Sequence, residues 1–96
     1  MAAPASDAIS FAITGPIARE DLLGLCTRVC SLLEQSSARV ACCDVTGVGV
    51  DAVTVDALAR LQLAAQRRGC RIWLRNTSTE LRELVAFMGL EDVLLE

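Results

Sequence analysis

The chain has 96 residues, of which 53% are hydrophobic and 22% are charged, a size and composition suited to one small domain with a single core. Its formal net charge of −3 argues against general nucleic-acid binding, which requires a basic surface. No apolar run approaches the roughly 18 residues of a membrane-spanning helix, so we expect no direct insertion into a membrane.

The N-terminal segment, residues 1–7, is small and Ala-rich and lacks the basic and long apolar regions of a signal peptide. We expect this segment to be a flexible terminus, followed by one cytoplasmic domain over residues 8–96. All nine basic residues are arginine. With the abundance of Ala and Val, this indicates the base composition of a GC-rich bacterial genome rather than a function.

Five cysteines occur in a chain that has no histidine. In the absence of an export signal, we expect reduced thiols that pack as small hydrophobic side chains. A zinc site is the alternative, but the cysteine spacing matches no zinc-finger or zinc-ribbon pattern. We therefore expect no metal and no cofactor at these residues, which are Cys26, Cys30, Cys42, Cys43 and Cys70.

The first half of the chain alternates strand and helix patterns. Apolar residues at every second position predict a half-buried strand over residues 7–14, and Gly15-Pro16 ends it. An apolar stripe with three-and-four spacing predicts a helix over residues 22–33. A continuous apolar run predicts a second strand over residues 39–45, of the kind that helices cover in α/β proteins.

The second half repeats the alternation. Asp51 is well placed to cap a helix that we expect over residues 52–68. A third strand follows over residues 70–75, and residues 77–80 have the pattern of a capping box for a helix over residues 79–88. The apolar end of the chain predicts a short helical turn.

The order β-α-β-α-β-α with short connections predicts right-handed crossovers between parallel strands. The expected architecture is a small single-domain α/β fold. Its central sheet is parallel or mixed, with three main helices and a short C-terminal turn.

Two segments carry a resemblance to a known family. Residues 44–48, Asp-Val-Thr-Gly-Val, are similar to an Asp-Leu-Ser-x-Val motif at a strand end, and residues 84–90, Leu-Val-Ala-Phe-Met-Gly-Leu, are similar to a closing signature that ends in Gly-Leu. Both are typical of the STAS domain family, the sulfate-transporter and anti-sigma-antagonist domains. Residues 15–18 and 61–74 resemble further family segments in the same order, so the resemblance covers nearly the whole chain.

The departures from the family pattern lie at the start of the predicted second helix. Where the family often has Asp-Ser-Ser/Thr-Gly, this chain has Asp51, Ala52, Val53 and Thr54. In the family's anti-sigma factor antagonists, a kinase-like partner phosphorylates the second Ser/Thr, and the phosphate weakens the complex. Val53 has no hydroxyl to accept phosphate, which leaves Thr54 as the only hydroxyl at the helix start.

The resemblance implies a non-catalytic interaction module in transcription regulation, similar to the anti-sigma factor antagonists. Such a module would bind a kinase-like regulatory partner without the usual phospho-acceptor. The alternative is a small STAS accessory subunit of a bacterial membrane ABC transporter of the lipid type. The chain has neither His nor Tyr, and we find no nucleophile–base pair that would indicate an enzyme. The candidate partner-binding residues are Asp44, Thr46, Asp51, Ala52, Val53 and Thr54.

Both candidate surfaces also have a purely structural interpretation. Asp51 is either a helix cap or part of a partner-binding rim. Arg71, Trp73 and Arg75 alternate along the third strand, and Trp and Arg are enriched at protein interfaces. They therefore indicate a second interface, with another protein or with a second copy in a homodimer, next to the small residues Ala12, Ala41 and Cys43. The alternative is that the domain itself covers Trp73.

Overall fold

The structure, a computed structural model, describes residues 8–15, 17–36 and 39–95. The segment 1–7, for which we expected flexibility, lies outside the described residues. A 3-10 turn, Arg19–Asp21, leads into the first helix. The strands and helices of the described residues are β1 (Ala8–Thr14), α1 (Leu22–Ser36), β2 (Val40–Gly47), α2 (Ala52–Arg67), β3 (Arg71–Arg75), α3 (Thr79–Phe87) and α4 (Glu91–Leu94).

The three strands form one sheet in the order β1-β2-β3, and both neighbouring pairs are parallel. Ile9 lies opposite Ala41, which in turn lies opposite Ile72. The register shifts between Ala12 and Thr14, so that Thr14 lies opposite Gly47. The predicted α/β architecture is confirmed, and within the described residues the sheet is parallel throughout.

One face of the sheet is buried against the helices. Ala41 and Cys43 are completely buried on this inner face, in the same core as Leu58 and Leu61 of α2. We had placed Ala41 and Cys43 beside Trp73, and this placement is wrong. The residue that lies opposite Trp73 is Cys42, because successive side chains of a strand point to opposite faces.

The helix ends follow the capping signals, with one displacement. The backbone N–H of Gly69 donates to the Gln66 carbonyl and that of Cys70 to the Ala65 carbonyl, a Schellman cap that uses the left-handed φ of 74° at Gly69. At α3 the Ser78 hydroxyl accepts a hydrogen bond from the Leu81 N–H at 3.1 Å. The N-cap is therefore Ser78, one residue later than the predicted capping box requires.

Gln62 holds the far edge of the sheet and was missed by our sequence analysis. Its side chain is 1% exposed. Its Oε1 accepts from the Ile72 N–H at 2.8 Å, and its Nε2 donates to the Ile72 carbonyl at 2.7 Å and to the Val93 carbonyl at 3.1 Å. The amide thus occupies the position at the β3 edge that another strand would use, and it joins α2 to the segment around α4.

Among the helices of the described segments, none has the length and hydrophobicity needed to cross a membrane.

Candidate partner-binding site

The carboxyl end of β2 is shaped by the side chain of Asp44. One oxygen, Oδ1, accepts hydrogen bonds from the backbone N–H of Thr46 at 2.9 Å and from the Thr46 hydroxyl. The other, Oδ2, accepts from Nδ2 of Asn76 at 3.1 Å. The two hydrogen bonds from Thr46 lower the pKa of Asp44, and the bond from the Thr46 hydroxyl has the larger effect. The carboxylate therefore stays ionised, and its hydrogen bond from Asn76 ties the end of β2 to the loop after β3.

The start of α2 is fixed by Asp51. Its Oδ1 accepts the backbone N–H of Thr54 at 2.7 Å, which makes Asp51 the N-cap of the helix. This backbone bond lowers the pKa of Asp51, and the nearby Thr54 hydroxyl lowers it further. The predicted helix cap is confirmed. A role of Asp51 in partner binding stays a prediction.

Thr54 is the most enclosed of the candidate residues. Its side chain is 0% exposed. Among the described residues, no group forms a hydrogen bond of normal distance and angle with its hydroxyl. Ala52 is exposed and Val53 is half-buried. The two residues after the cap that a partner can reach, Ala52 and Val53, are therefore apolar, while the Thr54 hydroxyl lies beneath them.

A glycine sets the shape of the connection between β2 and α2. A Cβ atom at Gly49 would lie 3.2 Å from Oδ2 of Asp51 and 3.9 Å from the Thr54 hydroxyl. Any larger residue would therefore press on the capping carboxylate. The loop between β2 and α2 therefore packs closely against the Asp51 carboxylate.

We call the surface formed by Asp44, Thr46, Asp51, Ala52 and Val53 the loop edge. All five residues lie between the carboxyl end of β2 and the first turn of α2. In open α/β sheets this is the side on which ligands and partners are commonly bound. Thr54, the sixth candidate, supports the loop edge from the inside.

The second predicted surface lies on the sheet face that is opposite the core. Trp73 is half-buried, and the guanidinium of Arg71 lies 5.1 Å from the centroid of its ring, a cation–π distance. Arg75 is exposed and lies opposite Asp44 in the strand register. We call Arg71, Trp73 and Arg75 the outer face. Through Arg75 and Asp44, the outer face and the loop edge form one continuous surface.

The five cysteines are free thiols. Cys42 and Cys43 follow one another on β2 and therefore point to opposite faces. Burial, followed by the charge of Asp44, raises the pKa of Cys43 to about 12, so that this thiol is not ionised near neutral pH. In residues 8–15, 17–36 and 39–95, no group of three or more His, Cys, Asp or Glu side chains could hold a metal ion.

Sequence reasoning also missed Asn76, whose side chain joins the loop after β3 to Asp44 at the end of β2. Its φ of 59° is the one left-handed backbone angle of a non-glycine residue in the described ranges, and Asn tolerates this conformation better than most residues. The position of Asn76, one residue after a strand and before a capping pattern, was an available signal for a turn. Its contact with Asp44 depends on which strands are neighbours and could not be read locally.

No protein-family model matches the sequence, and no curated protein matches it. Among solved structures, a sulfate transporter family protein from Wolinella succinogenes superposes with a TM-score of 0.70, at 23% sequence identity, over 92% of this chain and 71% of that chain. The anti-sigma factor antagonist SpoIIAA in its unphosphorylated form superposes with a TM-score of 0.69, at 13% identity, over 94% of this chain and 80% of that one.

At 23% and 13% sequence identity, the similarity to these two structures shows a shared fold. The chain has the STAS-type α/β fold that its motifs predicted.

Proposed function

We propose that this domain is a cytoplasmic, non-catalytic module that binds a regulatory protein through the loop edge, in the manner of an anti-sigma factor antagonist, and that phosphate does not control this binding. The observation that carries the proposal is the start of α2. There, exposed and half-buried apolar side chains, Ala52 and Val53, stand over a completely buried Thr54.

The state of the two aspartates supports a binding role rather than an acid–base role. Both carboxylates accept hydrogen bonds from residues two or three positions later in the chain, and both have a lowered pKa. A general acid or base works best with a pKa near the operating pH, and these shifts move Asp44 and Asp51 away from neutrality. Rigid, ionised side chains beside Ala52 and Val53 instead provide fixed polar contacts around an apolar centre, as in many interfaces.

The outer face is the second part of the proposal. Trp73 and Arg71 form an aromatic–cation pair on the sheet face opposite the core, and Arg75 joins this pair to the loop edge. Burial of a Trp side chain contributes more to association than exposed ion pairs do. A partner that covers the loop edge, or a second copy of the chain, would bury this pair.

Affinity capture from the native host tests the proposal. The tagged wild-type chain is compared with Ala52→Arg, which places a long cation on the exposed first position of α2, and with Gln35→Arg, a matched change at an exposed position of α1. We expect wild type and Gln35→Arg to retain the same regulatory protein, and Ala52→Arg to lose it.

Equal retention by Ala52→Arg would exclude the loop edge as the interface. Retention of a transporter ATPase or permease instead of a regulator would replace the antagonist function with that of a transporter accessory subunit. The loss caused by Ala52→Arg should then be confirmed with purified components by isothermal titration calorimetry.

A further inference from the structure

The helix α2 carries a second stripe of residues in addition to its core face. Val55, Leu58 and Leu61 point into the core. Val53 and Leu63 lie on a different side of the helix and line a groove of about 890 Å³. Three charged residues of α2, Asp56, Arg60 and Arg67, line the same groove. The first turns of α1, with Leu22, Leu23 and Cys26, and the end of α3, with Met88, supply the rest of the groove wall.

The floor and rim of this groove expose large apolar side chains. Leu23 is 79% exposed and Leu63 is 52% exposed, and both line the same groove. Apolar side chains that are grouped along one groove in this way indicate a binding surface rather than scattered exposure.

The charge of the groove is opposite to that of the chain. Arg19, Arg60 and Arg67 line it, with Asp56 as its one acidic residue, although the chain has a net charge of −3. Asp56 is already paired with Arg60 at 2.9 Å. In the described part of the chain, neither Arg19 nor Arg67 belongs to an ion pair. These two cations are therefore available to an acidic ligand.

We propose that this groove binds an acidic amphipathic helix of the protein partner. The inference rests on the proposed function, because the groove includes Ala52 and Val53 and is therefore continuous with the loop edge. An apolar stripe of the partner helix would lie over Leu23 and Leu63. Carboxylates on the borders of that stripe would face Arg19 and Arg67.

The length of the groove sets the size of the helix. The lining residues of α2 run from Ala52 to Arg67, a distance of about 22 Å at 1.5 Å per residue. A partner helix of about four turns covers this distance. Helix-in-groove recognition of this kind uses anchors at positions i, i+3 or i+4, and i+7, which matches the apolar and charged spacing along α2.

The test is a selection of peptides on the full 96-residue chain. A displayed library of amphipathic helical peptides about four turns long, with acidic, neutral and basic borders in equal number, is selected for binding. We expect the selected peptides to have acidic borders. We expect Arg67→Glu to weaken their binding about tenfold at low salt and much less at high salt, because salt screens exposed charges. Leu63→Ser should weaken binding at every salt concentration.

Matched controls lie outside the groove. Arg39→Glu reverses an exposed arginine at the start of β2, and Leu32→Ser changes a leucine of α1 that is 41% exposed. Neither variant should alter peptide binding. Circular dichroism of all four variants shows whether the fold is kept. We expect all four to fold, because the substituted positions are exposed.

Several results would overturn the inference. Selected peptides with neutral or basic borders, no selected peptide at all, or binding that Arg67→Glu leaves unchanged would each do so. Groove-dependent binding to phosphatidylglycerol vesicles without peptide binding would assign the groove to a membrane. Self-association that Arg67→Glu abolishes would assign it to a second copy. If peptides bind in the groove but Ala52→Arg leaves the native partner bound, the proposed function fails and the groove inference does not.

Discussion

Two aspartates at the carboxyl end of the sheet are held ionised by hydrogen bonds instead of by cations. Asp44 is bonded by Thr46 and Asn76, and Asp51 by the backbone of Thr54. Each carboxylate organises a loop on which the proposed interface lies. The hydrogen bonds that shape this surface therefore also stabilise the fold.

Asp51 gives a prediction about acid stability. Because its pKa is lowered in the folded state, the unfolded chain binds the proton more readily, and the stabilisation is present above the ordinary pKa of an aspartate and lost as the pH falls through the folded value. Asp51→Ala should reduce the free energy of unfolding at pH 7 by about 1 kcal/mol. Asp51→Asn, which retains a capping oxygen, should reduce it by less.

Urea unfolding between neutral and acidic pH provides the measurement. The acid-induced loss of stability should be smaller in both variants than in the wild type, because neither has the carboxylate. An unchanged pH profile in Asp51→Asn would mean that the lowered pKa of Asp51 does not contribute to stability.

Gln62 gives a prediction about the sheet edge. Gln62→Met keeps the volume of the side chain but leaves the Ile72 N–H and carbonyl without their partners. We expect a loss of about 1–3 kcal/mol in the free energy of unfolding, measured by urea denaturation. Gln66→Met, an exposed change one turn later in α2, is the control and should have little effect. Equal effects of the two variants would contradict the role given to Gln62.

The helix α2 illustrates what the sequence could predict and what it could not. Its cap followed from Asp51, and its expected range of residues 52–68 agrees with the observed Ala52–Arg67 to within one residue. The outer groove was not predicted, because it exists only where the first turns of α1 and Met88 of α3 lie beside Leu63. Local periodicity identifies one face of a helix but not which neighbours flank the other.

The strand β2 shows a similar limit. Val40 to Cys43 form an apolar run without alternation, so no local pattern indicates which of these residues face the core. An error of one residue exchanges the two faces of a strand, and this placed Ala41 and Cys43 on the wrong side. The alternation in β1 and β3, by contrast, predicted the faces of Ile9, Phe11 and Trp73 correctly.

The strand β3 gives a prediction about association. Trp73 is half-buried on the outer face, whereas Ile72 is 4% exposed in the core. Trp73→Ala should therefore weaken binding to the partner or to a second copy and leave the thermal midpoint nearly unchanged, whereas Ile72→Ala should lower the midpoint clearly. Sedimentation velocity and calorimetry measure the two effects. If Trp73→Ala lowers the midpoint as far as Ile72→Ala does, the Trp belongs to the core.

For the whole domain, the order of strands and helices was predictable because each element carries its own period and its own end signals. The parallel sheet followed from the alternation of strands and helices with short connections. The sites required more, because Asp44 meets Asn76, and Gln62 meets Ile72, only after the chain has folded. At the start of α2 the folded domain presents Asp51 as the helix cap. The next two side chains, Ala52 and Val53, can be reached by a partner, and neither has a hydroxyl.

Control of binding without phosphate is the central claim, and intact-mass analysis after incubation with a related anti-sigma kinase tests it most directly. Wild type is compared with Val53→Ser, which places a hydroxyl on the half-buried second residue of α2. We expect the wild type to keep its mass, because Val53 has no hydroxyl and Thr54 is buried, and we expect Val53→Ser to gain one phosphate. Stoichiometric phosphate on Thr54 of the wild type would contradict the claim and place this chain among the phosphorylated antagonists.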